Sequence, residues 1–115
     1  MSKEKEIQEV ERIKSSLEYH FQKYQDYKYD SKNASRKKDR DHAHDNMVTH
    51  AEYIKNELQK PLVFSEINDG NPFQFEYFWR YINSDMPDYL RKIETFLEKL
   101  KSEKNEELKN IKHSP

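Results

Sequence analysis

Residues 36–50, RKKDRDHAHDNMVTH, hold the densest set of side chains in this sequence that could do chemistry. Four are basic, three are aspartates and three are histidines. Imidazole and carboxylate groups ligate transition metals and transfer protons, and basic groups bind phosphates. The stretch could therefore be a metal site, a nuclease centre, a nucleic-acid contact or the solvated face of a helix.

The spacing of the histidines argues against a metal site within the stretch. A helix turns by about 100° per residue, so His42 and His44 point to nearly opposite sides, and eight residues separate His42 from His50 by about 12 Å. A zinc site needs three or four protein ligands, and the missing ones would have to come from His20, another helix or another copy of the chain. We therefore predict no metal and no cofactor, with His44 at the edge of the core and His42 and His50 in solvent.

The spacing from Arg36 to His42 resembles the arginine–histidine pair of helical ribonucleases of the HEPN type. The resemblance covers this spacing alone, because Lys37 follows the arginine where those enzymes carry a polar Asn, Asp or His, and the intervening residues are charged rather than apolar. A single glycine leaves no phosphate-binding loop, and the absence of cysteine leaves no thiolate chemistry. We predict no enzyme, no catalytic residues and no small-molecule substrate.

A nucleic-acid contact is the second interpretation of the basic residues. Basic groups beside aromatic rings suit single-stranded nucleic acid, whose phosphates and bases they bind. Aspartates interleave with these lysines and arginines and oppose phosphate binding. The residues of this alternative are Lys28, Lys32, Arg36, Lys37, Lys38, Arg40, Tyr24 and Tyr27.

Composition bounds the class of protein. With 115 residues, of which 33% are hydrophobic and 37% charged, the chain predicts one small helical domain over 1–115, with 101–115 a frayed tail. A net charge of −1 gives no global attraction to nucleic acid or anionic lipid. No apolar run resembles a signal peptide or a membrane span, so we expect a cytoplasmic protein. Its sixteen lysines, five arginines and eight asparagines suit an AT-rich genome, such as that of a low-GC bacterium or its phage.

Apolar periodicity predicts two long helices in the first half. Apolar residues recur at steps of three and four from Lys3 to about Tyr29, and again from about Arg36 to Lys60, where Pro61 ends the pattern. The linker 30–35 is polar, and Asn33 or Ser35 could cap the second helix. The predicted stripes are Ile7, Val10, Ile13, Leu17, Phe21 and Tyr24, then His44, Met47, Ala51, Ile54 and Leu58.

The second half predicts a connection, a short helix and a long helix. LVFSEINDG reads as a connection, and Asn71-Pro72 with Gln74 reads as a capped start of a third helix reaching about residue 83. A hairpin in the same region is the alternative, because FQFEYFW begins with alternating apolar residues. A fourth helix should start near Pro87, with Met86, Leu90, Ile93, Leu97 and Leu100 on its stripe. The prediction is an all-α, four-helix bundle.

Aromatic side chains suggest a function. On the predicted third helix, Phe73, Tyr77 and Tyr81 form a stripe opposite the core-facing one, and it must be covered by the preceding connection, by another protein or by a second copy. Tyr19 and Tyr29 lie off the main stripe of the first helix. Because tyrosine is enriched in binding hot spots, we expect a non-catalytic protein interaction module, such as an adaptor, a subunit or an inhibitor.

Overall fold

A computed structural model describes residues 2–68 and 75–113, and the side chains of 2–67 and 82–107. The described residues form four helices and no strand, which confirms the predicted all-α, four-helix architecture. None of the described helices has a stretch apolar and long enough to cross a lipid bilayer. The helices are α1 (Lys3–Asn33), α2 (Lys37–Leu58), α3 (Pro61–Asn68) and α4 (Phe75–His113).

The connection between α1 and α2 is shorter than the predicted linker. Helix α1 continues to Asn33, and the N–H of Ala34 donates to the carbonyl of Asp30 at 3.0 Å to close its last turn. Neither predicted cap is used, because Asn33 lies within α1 and Arg36 is the N-cap of α2, without a side-chain cap hydrogen bond. Instead, the Arg40 guanidinium donates to carbonyls of the linker. A short linker brings the two long helices back along each other.

The second half differs from prediction in where its helices lie. The predicted connection forms α3, which begins with Pro61 in the first turn, where its missing N–H costs no helical bond. Val63 and Ile67, four residues apart, bury one face of α3. A helix of eight residues, about two turns, gives too few apolar repeats to recognise in the sequence, which is why this helix was missed.

The predicted third and fourth helices are one continuous helix. Helix α4 runs through Pro87, which is exposed. A proline inside a helix removes the hydrogen bond to the carbonyl four residues earlier, here that of Asn83. Buried residues on both sides of it, Ile82, Met86 and Ile93, anchor α4 and offset that loss. The hairpin alternative for residues 75–83 is therefore wrong.

The core is aliphatic and continuous through all four helices. Among the described side chains no polar or charged residue is buried. On α2 the buried position predicted for His44 belongs to Ala43, and His44 is exposed, because the stripe is shifted by one residue at the start of the helix. The core cluster comprises Ile7, Val10, Ile13, Leu17, Tyr24, Met47, Ala51, Ile54, Leu58, Val63, Ile67, Ile82, Met86, Ile93, Leu97 and Leu100.

Helix α1 is antiparallel to both α2 and α4. Arg12 near the start of α1 meets Glu57 near the end of α2, and Lys3 meets Glu103 of α4 at 2.6 Å. The molecule is a rod of 71 × 24 × 21 Å. Since Glu103 pairs with the start of α1, the predicted tail begins inside a helix that continues to His113.

Candidate functional site

A cluster of tyrosine and histidine rings lies on the surface where α1 and α2 meet. Its members are Tyr19, His20 and Tyr27 of α1 and His50 and Tyr53 of α2, and we call it the tyrosine–histidine face. Tyr19 is 57% exposed and Tyr53 is 48% exposed, whereas the other three rings are half-buried. It is an exposed aromatic surface shared by two helices.

The helical hairpin itself aligns these residues. In an antiparallel pair, residues equally distant from the turn lie opposite each other. His20 and His50 are each fifteen residues from Ser35, at the centre of the connection (35 − 20 = 50 − 35). Each histidine also lies next to the buried stripe of its helix, so its ring lies at the edge of the core.

The two histidines are in direct contact. Their Nδ1 atoms are 2.9 Å apart, and their ring centroids are 5.1 Å apart. The contact is a hydrogen bond when one ring carries its proton on Nδ1 and the other does not. It is therefore compatible with two neutral imidazoles or with one cation, and two imidazolium ions would repel each other across it.

Tyrosine rings surround the histidine pair on three sides. Tyr27 stacks on His50 with centroids 5.5 Å apart and an interplanar angle of 19°. Tyr53 lies 4.8 Å from His20, and Tyr19 meets His20 edge to face at 5.1 Å. These contacts hold each ring in a defined orientation, so the face is preorganised rather than assembled on binding.

Burial and neighbouring charges keep the histidines neutral. Desolvation lowers the pKa of His20, against a smaller opposing effect of the Glu57 carboxylate. Desolvation also lowers the pKa of His50, with further lowering by His20 and by the Lys23 ammonium. Both imidazoles are therefore mainly uncharged at neutral pH, free to donate through one nitrogen and accept through the other.

A group of ion pairs lies at the base of the face and holds the α1–α2 register. The Arg12 guanidinium reaches Glu9 at 2.8 Å and Glu57 at 3.5 Å, and Lys60 reaches Glu57 at 3.4 Å. Surface ion pairs contribute little free energy individually, up to about 1 kcal/mol. Here they fix the position of α1 relative to α2, because they link α1 to the last turn of α2, about one helical turn from Tyr53.

The predicted nucleic-acid residues do not form one surface. Tyr24 is buried in the core, so its ring cannot stack on a base, and Tyr27 is engaged with His50. The Arg40 guanidinium is used within the fold by the carbonyls of Ala34 and Ser35, at 2.9 and 3.1 Å. The exposed basic residues at the start of α2 are Arg36, Lys37 and Lys38.

The remaining residues of the predicted nucleic-acid contact, Lys28 and Lys32, line a separate groove. It has a volume of about 300 Å³ and lies between the end of α1 and the region of α4 around Asn83. The side-chain oxygen of Asn83 is buried there and has no hydrogen-bond partner among the described residues. Tyr29, which is 67% exposed, belongs to this groove and not to the tyrosine–histidine face. The lining is Gln25, Lys28, Tyr29, Lys32, Asn33 and Asn83.

A larger cleft of about 720 Å³ lies at the opposite end of α1. Ile13, Pro61 and Leu62 contribute its apolar part, and charged residues of α1 and Lys60 form its rim. It contains no histidine and no tyrosine among the lining residues that the structure describes. The cleft offers apolar surface, and the polar groups among its described lining residues are the charged side chains of the rim.

The outcome for the predicted partner residues is divided. Phe73 and the side chains of Tyr77 and Tyr81 lie outside the described residues, so the predicted aromatic stripe stays a prediction. Tyr19 and Tyr29 are both exposed, as expected for contact residues, but on different surfaces.

Sequence reasoning missed two members of the face and misplaced a third. His20 was considered only as a distant source of a ligand, Tyr53 was not considered, and His50 was assigned to solvent although it is half-buried. The hairpin symmetry about residue 35, which pairs 20 with 50, follows from the connection that the structure shows and not from the predicted linker 30–35. Periodicity within one helix cannot reveal a contact between two.

The arrangement offers aromatic area, hydrogen-bond donors and two neutral imidazoles, without a nucleophile or an acid–base pair aimed at a pocket. Among the described residues no three His, Cys, Asp or Glu side chains are grouped so as to hold a metal ion. No family model matches this chain, and neither a curated protein nor a solved structure matches it.

Proposed function

We propose that the protein is a non-catalytic protein-binding module, acting as an adaptor, a subunit or an inhibitor, and that the tyrosine–histidine face is its contact surface. One observation carries the proposal: Tyr19 and Tyr53, both about half exposed, are held in one aromatic surface by the His20–His50 pair. Clustered exposed rings are uncommon on a monomer without a partner, and tyrosines are enriched in binding hot spots.

The chemistry of the face favours a partner rich in hydrogen-bond acceptors. Tyrosine hydroxyls donate, and the Lys23 ammonium lies 5.8 Å from the Tyr19 ring centroid. Lys23 makes no ion pair with the described residues. A protein segment that carries carboxylates beside apolar side chains complements this pattern. A second copy complements it less well, because its copy of the face brings the same tyrosine, histidine and lysine side chains and no carboxylate.

Paired tyrosine variants test the proposal. Partners captured from the native cell are purified, and their affinities are measured for the wild type, for Tyr19→Ser with Tyr53→Ser, and for Tyr29→Ser. We expect the double variant to bind a partner at least about thirtyfold more weakly, the effect of losing about 2 kcal/mol at a hot spot. Tyr29→Ser is the matched control, an exposed tyrosine outside the face, and should bind within about threefold of wild type.

Three results would contradict the proposal. In the first, no reconstituted complex responds to the double variant. In the second, Tyr29→Ser weakens binding as much as the double variant does. In the third, the wild type alone forms a dimer that the double variant abolishes, which would make the occupant of the face a second copy.

Single-stranded nucleic acid is the second candidate partner, at the groove beside Tyr29. The observation in its favour is the position of Lys28 and Lys32 next to this exposed ring and the unpartnered Asn83 oxygen. Phosphates would meet the ammonium groups and a base would stack on the tyrosine. Binding of an oligonucleotide should weaken steeply with salt and be lost in Lys28→Ser with Lys32→Ser. No binding at about 50 mM salt would exclude it.

A further inference from the structure

We propose that His20 and His50 form a two-imidazole chelate for a divalent transition metal ion, with Cu²⁺ and Ni²⁺ preferred. The proposal does not depend on protein binding by the same face, because both ligands belong to this chain and lie close together without a partner. The two proposed ligands lie on different helices. Within the 36–50 stretch, by contrast, His42, His44 and His50 cannot share an ion with one another.

The distance between the two nitrogens selects the coordination geometry. Metal–imidazole bonds are about 2.05 Å long, so Nδ1 atoms 2.9 Å apart subtend an angle of about 90° at a shared ion. That angle separates neighbouring ligands in square-planar and octahedral complexes, the geometries of Cu²⁺ and Ni²⁺. A tetrahedral zinc site requires a separation of about 3.3 Å, so the pair would have to open by about 0.4 Å.

The protonation of the pair suits metal binding. An imidazole must be neutral to ligate, and desolvation lowers the pKa of both rings. The charged groups facing the pair act on a bound cation as they act on a proton: the Lys23 ammonium repels it and the Glu57 carboxylate attracts it. In the neutral pair, one of the two Nδ1 atoms carries a proton. When the ion binds both Nδ1 atoms, this proton moves to Nε2 of the same ring. Metal binding to two neutral histidines therefore releases no net proton.

The surroundings hold both ligands in place before the ion arrives. Tyr27 stacks on one ring, Tyr53 lies against the other, and each histidine is anchored on a long helix. An ion bound to both nitrogens lies off the line between them, so each ring turns to aim its Nδ1 lone pair at the ion while the two helices keep the nitrogens close together. Because no group of three metal-binding side chains occurs among the described residues, water fills the remaining positions and the ion exchanges readily.

Calorimetric titration of the untagged, full-length chain with Ni²⁺ and with Cu²⁺ tests the proposal. We expect one ion per chain, and no response to Mg²⁺, which prefers oxygen ligands. His20→Gln and His50→Gln should each weaken binding about tenfold or more, since each removes one of the two ligands. The control, His42→Gln with His44→Gln, removes two exposed imidazoles of α2, one more than either test variant, and should bind as the wild type does.

A second measurement needs no variant. Paramagnetic Ni²⁺ should broaden the imidazole NMR resonances of His20 and His50 before those of His42 and His44, and a chelator should restore them. Binding that survives both single glutamine variants, or that is lost in the His42 and His44 control, would overturn the proposal. So would broadening that begins at His42 or His44.

Discussion

Two neighbouring stripes of the α1–α2 hairpin have opposite chemistry. One stripe faces the core through side chains such as Leu17 and Ile54, both fully buried. The other begins next to it on each helix, with His20 on α1 and Tyr53 on α2 at the edge of solvent. A change of about 60° to 100° around a helix therefore separates a mainly aliphatic interior from a polar aromatic surface.

The two stripes also differ in how they are held together. Core side chains interact through non-directional burial, so only their size and shape are constrained. The rings of the tyrosine–histidine face meet at defined angles and through one Nδ1–Nδ1 contact of 2.9 Å. The core stripe should therefore determine stability, and the face should determine binding.

The largest expected effect is in the core. Leu17→Ala should lower the free energy of unfolding by about 3 kcal/mol, because a fully buried leucine is replaced and a cavity remains. Urea denaturation followed by circular dichroism measures it. A loss below about 1 kcal/mol would mean that the site collapses around the alanine or that the leucine is not buried.

The four-helix fold was predictable from sequence because long amphipathic stripes determine where helices lie. The stripes from Ile7 to Tyr24 and from Met47 to Leu58 were recognised by steps of three and four, and all of their residues except the partly buried Phe21 are buried in α1 and α2. Helix α3 was not recognised, since eight residues give too few repeats to distinguish a helix from a connection. Pro87 predicted a boundary that packing on both sides overrides.

The face was less predictable, for a different reason. Tyr19 was identified by its position off the apolar stripe of one helix. The pairing of His20 with His50 depends on the length of the turn and on the register of two helices. Neither is encoded in the periodicity of a single segment. The first residue of the α2 stripe was also predicted one position too late, so His44 was expected at the edge of the core, whereas Ala43 is buried and His44 is exposed.

A pH dependence of intermediate size should come from the histidine pair. In buffer with a metal chelator, its contribution to stability should be fully present above the unfolded pKa of 6.5 and be lost as pH falls through the lowered folded values. The sign follows because the unfolded chain binds protons more readily than the folded one. His20→Gln with His50→Gln should flatten this part of the stability profile, and identical slopes in variant and wild type would contradict it.

The smallest expected effect on stability is at the exposed tyrosines. Tyr19→Ser should change the free energy of unfolding by no more than about 0.5 kcal/mol, because more than half of the side chain is already in water. The same measurement as for Leu17→Ala gives a direct comparison within one helix. A loss approaching that of Leu17→Ala would mean that the face belongs to the core rather than to a binding surface.

Chemical footprinting of tyrosines tests the central claim most directly. The rates at which Tyr19, Tyr53 and Tyr29 are nitrated are compared in the free chain and in a reconstituted complex with its protein partner. All three are exposed in the free chain and should react. We expect the partner to protect Tyr19 and Tyr53 from nitration and to leave Tyr29 reactive. Protection of Tyr29 with continued reaction of Tyr19 and Tyr53 would contradict it.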